Sequence, residues 1–228
     1  MKIVFKYLDN ILNEVKFFFS SLNILIATRN VKPKIVFFSE NKVYQKFSRP
    51  IIHVLSSTYP DQIHYFSIDK DDKINDKKVS NYFVSPFLLN FIFSKLRAEN
   101  IFLTATDLGN NLLKKTKNIN KYIYYFHSPV STTKNYTSKA FDNYDVIMCN
   151  GQFQIDEIRA RENLKKLSKK KLIPSGYFYF DYLNENINHS IDYNEILIAP
   201  SWNKNMRHFI NENFIELIDV LIKKNYKV

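Results

Sequence analysis

The chain of 228 residues is 45% hydrophobic and 16% aromatic. That is enough apolar material for the core of one domain and part of a second, which excludes a largely disordered protein. Its three glycines, Gly109, Gly151 and Gly176, are too few and too far apart for a P-loop or a dinucleotide-binding fingerprint. The single cysteine, Cys149, excludes an internal disulfide, and the net charge of +11 favours anionic partners.

Residues 1–30 are predicted to form a helical segment ahead of the main domain. Apolar residues recur at helical spacing up to Val15, with charged residues between them, and the stretch Phe17–Ala27 is almost uncharged. Its 11 residues are well short of the roughly 20 that a helix needs to span a bilayer. Two interpretations remain open: a helix packed on the protein's own core, and a helix lying in a membrane interface.

Residues 31–183 alternate short apolar runs with longer helical stretches. Strands are predicted at Lys34–Ser39, Ile63–Ile68, Asn81–Ser85, Ile101–Thr106, Tyr122–His127, Asp145–Asn150 and Lys171–Pro174. Helices are predicted at Tyr44–Ser56 with a break at Pro50, and at Phe87–Arg97, Leu108–Lys117, Thr137–Tyr144 and Ile155–Leu167. This alternation predicts an α/β domain with a Rossmann-like, doubly wound parallel sheet.

The rest of the chain is predicted to be a linker and the opening of a second α/β domain. Residues 184–194 are rich in Asn and have no periodicity, as in a linker. A predicted strand at Glu195–Ala199 and a helix at Arg207–Lys224 follow, and the chain stops at Tyr226–Val228, where another strand is expected. We therefore expect residues 195–228 to be the truncated start of a C-terminal domain.

A histidine followed by hydroxyl groups is the strongest candidate for chemistry. His127 ends a predicted strand, and ligands of open parallel sheets bind beyond the carboxyl ends of the strands. Ser128, Ser131 and Thr132 come next and are suited to binding the phosphate oxygens or hydroxyls of a donor or substrate. A neutral imidazole at this position could act as a general base toward an acceptor hydroxyl. The alternative is a structural histidine held by hydrogen bonds.

Three stretches, in this order along the chain, resemble elements of one enzyme family. They are Tyr125–Pro129, Ile173–Leu183 and Ile196–Lys204, and the resemblance covers roughly residues 100–205. The family is that of the CDP-glycerol glycerophosphotransferases of teichoic-acid-type polymer synthesis. Its members are similar to GT-B glycosyltransferases, in which two Rossmann-like domains face each other across a cleft. The resemblance therefore implies a GT-B-like N-terminal domain.

The resemblance also implies a reaction, the transfer of glycerol phosphate from CDP-glycerol to a hydroxyl acceptor. His127 would be the base on the acceptor side, and Gly176, Ser201 and Trp202 would contact the donor or substrate. No metal or further cofactor is expected. Because Phe178-Tyr179 stands where the family has Pro-Arg, another nucleotide-activated polyol or sugar is also open as the donor.

The expected partners are a nucleotide-activated donor and a polymer or lipid-linked hydroxyl acceptor. The resemblance implies a cytoplasmic enzyme, or one peripheral on the cytoplasmic face of the membrane, where the basic run 165–171 faces solvent or anionic lipid. Nucleic-acid binding is not expected, because basic and aromatic residues are not interleaved on one face. The donor half-site is expected in the incomplete second domain, so these 228 residues alone should have little activity. The alternative is a non-catalytic, truncated Rossmann-like module with a basic membrane- or partner-facing surface.

Overall fold

The chain divides into two units, Met1–Glu185 and Asn186–Val228, which are described separately. The computed structural model describes residues 15, 18–106, 108–109, 113–186, 194–199 and 212–228.

Seven strands and five helices make up the described part of the chain as far as residue 186. The strands are β1 (Ile35–Ser39), β2 (Ile63–Ser67), β3 (Val79–Phe83), β4 (Ala98–Leu103), β5 (Ile119–Tyr125), β6 (Val146–Cys149) and β7 (Lys171–Pro174). The helices are α1 (residues 18–30), α2 (Lys42–Thr58), α3 (Leu89–Lys95), α4 (Gln152–Lys165) and α5 (Phe178–Asn186). A 3-10 turn at Pro86–Leu88 leads into α3.

The strands form one parallel sheet in the order β3-β2-β1-β4-β5-β6-β7. From the centre, the chain first builds outward from β1 to β3 and then, in the other direction, from β4 to β7. The order therefore reverses between β1 and β4, which is the point where ligands bind in open sheets of this kind. The predicted Rossmann-like, doubly wound α/β sheet is confirmed.

Alternate residues of the central strand β1 face the two layers of helices. Val36 and Phe38 lie in the core cluster that also contains side chains of α1, α3 and α4. Ile35 and Phe37 lie in the opposite cluster, with side chains of α2 and α5. All five residues of β1 are buried, as expected for a continuous apolar run in a strand covered on both faces.

Helix α2 runs through Pro50 without the predicted break. Proline removes one backbone donor, and with it the hydrogen bond to the carbonyl group four residues earlier. The side chains of Phe47, Ile51 and Ile52, on both sides of the proline, are buried against one face of the sheet. This shared burial holds both halves of the helix on the core and offsets the lost hydrogen bond, so the predicted break was wrong.

The two helices predicted at Leu108–Lys117 and Thr137–Tyr144 are replaced by turns and irregular structure in the described residues. Gly109 has a φ of +88°, in the left-handed region that ends helices. The backbone N–H of Thr116 donates to the Tyr122 hydroxyl at 2.8 Å. In residues 137–144, the backbone N–H groups of Ala140, Asp142 and Tyr144 each donate to the carbonyl group three residues earlier, so turns form where local periodicity predicted a helix.

Helix α1 packs on the sheet. The Ile24 side chain is fully buried in the core, and the Ser21 hydroxyl accepts a hydrogen bond from the backbone N–H of Ser85 at 2.8 Å. These contacts support the first of the two interpretations of this segment. The same helix leaves the aromatic rings of Phe18 and Phe19 about half exposed or more. Among the described helices, none has the length and apolar character needed to cross a membrane.

The second unit contains a helix, α6 (Glu212–Lys223), and a parallel bridge between Glu195 and Lys227. The predicted helix is confirmed over residues 212–223. Of the strand predicted at Glu195–Ala199, the described residues form only that bridge. The Ile196 N–H donates to the Lys227 carbonyl group, and the Lys227 N–H donates to the Asn194 carbonyl group.

Helix α5 continues through residue 186, three residues into the stretch predicted as a linker. Helical hydrogen bonding therefore extends into the Asn-rich stretch that sequence assigned to residues 184–194. Residues 187–193 lie outside the described residues, and the domain boundaries stay predictions.

Candidate active site at the carboxyl edge of the sheet

His127 lies at the carboxyl edge of the sheet, two residues beyond the end of β5 at Tyr125. The strand is thus shorter at this end than predicted. The imidazole ring is half-buried and packs edge-on against the Tyr44 ring, with the ring centroids 5.3 Å apart. The Phe47 ring lies 6.0 Å away. Both aromatic residues belong to the first turns of α2, so the start of this helix forms an aromatic wall beside the histidine.

The surroundings of His127 favour its neutral form. Burial lowers the pKa of His127 below its ordinary value of about 6.5, because the charged imidazolium would lose hydration. Its Nδ1 atom is buried and has no hydrogen-bond partner among the described residues. At pH 7 the imidazole can therefore accept a proton.

Three side chains from neighbouring elements fix the backbone of the loop that carries His127. Each donates to a backbone carbonyl group of the loop: Tyr177 Oη to His127 O at 2.8 Å, Asn150 Nδ2 to Ser128 O at 3.2 Å, and Gln154 Nε2 to Val130 O at 2.9 Å. The donors come from the residues after β6, from α4 and from the turn before α5. The position of the imidazole is therefore set by elements that are distant in sequence.

Glu157 on α4 holds the hydroxyl-rich turn that follows His127. Its carboxylate accepts hydrogen bonds from the Ser131 hydroxyl at 2.7 Å, from the Thr132 hydroxyl at 2.6 Å and from the Thr132 backbone N–H. Burial acts to raise the pKa of Glu157, but the bonds from Thr132 and Ser131 outweigh it, so the pKa is lowered. Both hydroxyl groups are thus engaged by α4 in this structure. Their predicted contact with a donor or substrate stays a prediction.

Glu40 brings a carboxyl group to the same edge of the sheet. It follows β1 directly, at the point where the strand order reverses, and its side chain is half-buried. Burial raises the pKa of Glu40. The pKa of Tyr44 is raised by burial and then by the charge of Glu40, so this carboxylate acts on the ring that packs against His127. Glu40 was not singled out from sequence, although its position after a buried central strand was the signal that could have found it.

Gly176 occupies the turn between β7 and α5 with a φ of +73°, a conformation that favours glycine. No atom lies within 4 Å of the position that a side-chain carbon would take there, so the turn faces open space. The next residue, Tyr177, donates to the His127 carbonyl group, which brings two of the three resembling stretches together. Ser128 follows His127 in the fixed loop, whereas Ser201 and Trp202 lie outside the described residues.

Neither a metal cluster nor a reactive cysteine is found in the described part of the chain. No group of three or more His, Cys, Asp or Glu side chains is arranged there to hold a metal ion. Cys149 is fully buried in β6, and burial raises the pKa of its thiol to about 12, so it packs as an apolar residue. His127 thus has the surroundings of a base. Sequence reasoning missed Glu157, which holds the turn after His127, and Glu40, which follows β1 at the same edge.

Two solved structures of the wall teichoic acid polymerase TagF share this fold, both of them variants in which a histidine was replaced. The first has a TM-score of 0.52 at 17% identity and covers 89% of this chain and 56% of the TagF chain. The second, soaked with CDPG, has a TM-score of 0.52 at 13% identity and covers 88% of this chain and 61% of that one. The chain thus spans less than two thirds of either TagF chain.

Comparisons at the level of sequence add nothing to this similarity. No protein-family model matches the chain, and no curated protein matches it either. At 13–17% identity, the structural similarity shows a shared fold: the parallel α/β sheet of this chain is that of the GT-B-like TagF structures.

Proposed function

We propose that this chain is the acceptor-side part of a glycerophosphotransferase-like enzyme, in which His127 takes the proton of the acceptor hydroxyl. The observation that carries the proposal is the half-buried imidazole, with a lowered pKa and an unpaired Nδ1, at the carboxyl edge of a TagF-like sheet. The similarity to TagF supports a transferase of this kind. The CDPG-soaked TagF structure and the three resembling stretches support the proposed donor class.

The proposed step joins the acceptor oxygen to phosphorus. The acceptor hydroxyl oxygen attacks the phosphorus atom that carries glycerol in CDP-glycerol, and the bond from that phosphorus to the bridging oxygen of the diphosphate breaks. The bond's electron pair leaves with CMP, and the acceptor proton passes to His127. The products are a glycerol phosphodiester, CMP and an imidazolium ring, which then releases its proton to restore the base.

The chain's own residues prepare this step by position and charge. The hydrogen bond from Tyr177 to the His127 carbonyl group fixes the backbone that carries the imidazole ring. The aromatic wall of Tyr44 and Phe47 excludes water from the ring and keeps it neutral before the reaction. Glu40 lies at the same edge, and its charge acts on Tyr44, the ring that packs against His127. Ser128, with its half-buried position beside the base, is the proposed first contact to the substrate.

The remaining site residues are proposed along the donor's path. Gly176 leaves room for a ligand to approach the turn before α5. Ser131 and Thr132 would reach a donor phosphate by releasing Glu157, and Ser201 with Trp202 would complete the contacts. The donor requires no metal or cofactor in this scheme.

Contact with an anionic membrane is proposed for α1, where the enzyme would meet a lipid-linked acceptor on the cytoplasmic face. The exposed Phe18 and Phe19 rings support the proposal, since aromatic rings on a surface helix insert into the lipid interface. We expect the protein to sediment with phosphatidylglycerol vesicles and the double variant Phe18→Ser/Phe19→Ser to remain in the supernatant. Equal sedimentation of the wild type and the double variant would contradict the proposed membrane contact.

The reaction itself is tested by product analysis. The native gene product is incubated with CDP-glycerol and a hydroxyl acceptor, and mass spectrometry follows the acceptor while CMP is quantified. We expect equal amounts of CMP and of acceptor extended by glycerol phosphate. CMP release without acceptor extension, or no turnover with any nucleotide-activated polyol or sugar, would contradict the transferase and favour the non-catalytic binding module.

A further inference from the structure

A row of three cations lies on the first half of α2. Lys42, Lys46 and Arg49 are spaced four and three residues apart, so they project from one side of the helix. Together they line a cavity of about 390 Å³, which Tyr182 of α5 completes along with Val43 and Gln45. None of these lining residues is acidic. The cavity therefore concentrates positive charge at one place in the fold.

Aromatic rings hold the middle cation of this row in position. The Lys46 ammonium group lies 5.0 Å from the centroid of the Phe47 ring and 5.1 Å from that of Tyr179. The Tyr179 ring in turn stacks on Tyr182, with centroids 5.9 Å apart. Cation–π contacts orient a lysine without neutralising its charge. Lys46 thus faces the cavity with its full charge.

The three cations form no salt bridge in the described part of the chain. No carboxylate there lies within salt-bridge distance of Lys42, Lys46 or Arg49. The Asp69 carboxylate accepts a hydrogen bond from the backbone N–H of Lys42, at 3.1 Å, and the charge of Lys42 acts on it. Like charges three or four residues apart repel each other, and Lys42 also stands at the positive end of the helix dipole. The arrangement costs stability as it stands, and a bound anion would relieve that cost.

The dimensions of the row indicate what kind of anion fits. From residue 42 to residue 49 a helix rises by about 10 Å, at about 1.5 Å per residue. One phosphate group would reach only part of this length, whereas two or more linked phosphates would meet all three cations. We propose that Lys42, Lys46 and Arg49 form a binding site for an anion with two or more linked phosphate groups. The same α2 turns carry Tyr44 and Phe47, so the bound anion would run beside His127.

Inorganic tripolyphosphate tests this site by calorimetry, independently of any transfer reaction. We expect the full chain to bind tripolyphosphate and the double variant Lys46→Gln/Arg49→Gln to bind it at least about tenfold more weakly, the effect of one lost charge-assisted bond. The matched control is Lys117→Gln/Lys139→Gln, which removes the same charge at exposed positions outside the cavity. The single variant Arg49→Gln, at a fully surface position, should show an intermediate loss.

Two results would overturn the site. If the cavity variant binds tripolyphosphate like the wild type, the row does not bind the anion. If the control weakens binding equally, only the overall charge matters. Competition then separates two sources of linked phosphates: displacement of tripolyphosphate by CDP-glycerol assigns the site to a donor diphosphate, and displacement by an oligomer of glycerol phosphate assigns it to the acceptor. Displacement by neither would overturn a role in substrate binding while leaving the transfer chemistry at His127 untouched.

Discussion

The acid–base properties of His127 come from residues that sequence spacing does not connect to it. Its place after an apolar strand could be predicted from sequence, because strand ends in a parallel sheet face ligands. Its aromatic neighbours, Tyr44 and Phe47, come from a helix some 80 residues earlier in the chain. Glu40 is similarly far from His127 in sequence, so sequence spacing does not connect the two. The pairing of β1 with β4 and of β4 with β5 brings both residues to this edge of the sheet.

The pH dependence of the proposed base follows from its burial. The pKa of His127 lies below 6.5, so the neutral ring persists as the pH falls through 6.5, and proton acceptance is lost only at lower pH. In a pH profile of kcat/KM, we expect the fall on the acid side (the acid limb) to have its midpoint below pH 6.5. In Tyr44→Ala the ring gains hydration, so the pKa and the acid limb should both rise toward 6.5.

An NMR titration of the His127 ring measures the same shift without turnover. Val43→Ala, a change at an exposed neighbour on the same helix, is the control and should leave the pKa in place. A wild-type pKa at or above 6.5, or no rise in Tyr44→Ala, would show that burial does not set the protonation of this ring.

At the scale of elements, sequence predicted the strands well, whereas several helices depended on distant contacts. Apolar runs defined all seven strands, although β4 and β5 begin three residues earlier than predicted. The added residues are partly polar: Glu99 at the start of β4 pairs with Lys34 at 3.0 Å, and Asn100 donates to the Lys34 carbonyl group. Such pairs exist only once the sheet is assembled, so apolarity alone places the strand starts too late.

Helix α4 and the loop after β5 are joined through Glu157. In Glu157→Gln the new amide group cannot accept bonds at both atoms, so at least one donor among the Ser131 and Thr132 groups loses its partner. We expect unfolding in urea to show a loss of about 1–3 kcal/mol, as for other unsatisfied buried donors. Because the pKa of Glu157 is lowered in the folded state, the wild type should also lose stability as the pH falls through that pKa.

Asp156→Asn is the matched control on the same helix. Asp156 is exposed and accepts a single bond, from Gln152 Nε2 at 2.8 Å, so its replacement should change the free energy of unfolding by less than about 0.5 kcal/mol. Equal losses in the two variants would mean that the Glu157 cluster does not hold the loop.

At the scale of the whole molecule, the fold could be predicted from sequence more closely than the location of the charge. The sheet shares its fold with TagF at a TM-score of 0.52, which the three resembling stretches anticipated from sequence. The net charge of +11 predicted anionic partners but not their location, because lysines are spread along the chain. Folding gathers three cations of α2 into one cavity, beside the aromatic wall of His127.

The central claim, that His127 is the base of a transfer reaction, is tested most directly by the rate of CMP release from CDP-glycerol in the native gene product. Compared with the wild type, His127→Asn should be at least about 100-fold slower with a hydroxyl acceptor, the usual contribution of a general base. His53→Asn, at an exposed position on α2, should leave the rate unchanged. A His127→Asn rate within about twofold of the wild type would contradict the account, since a base in the reaction contributes far more than that.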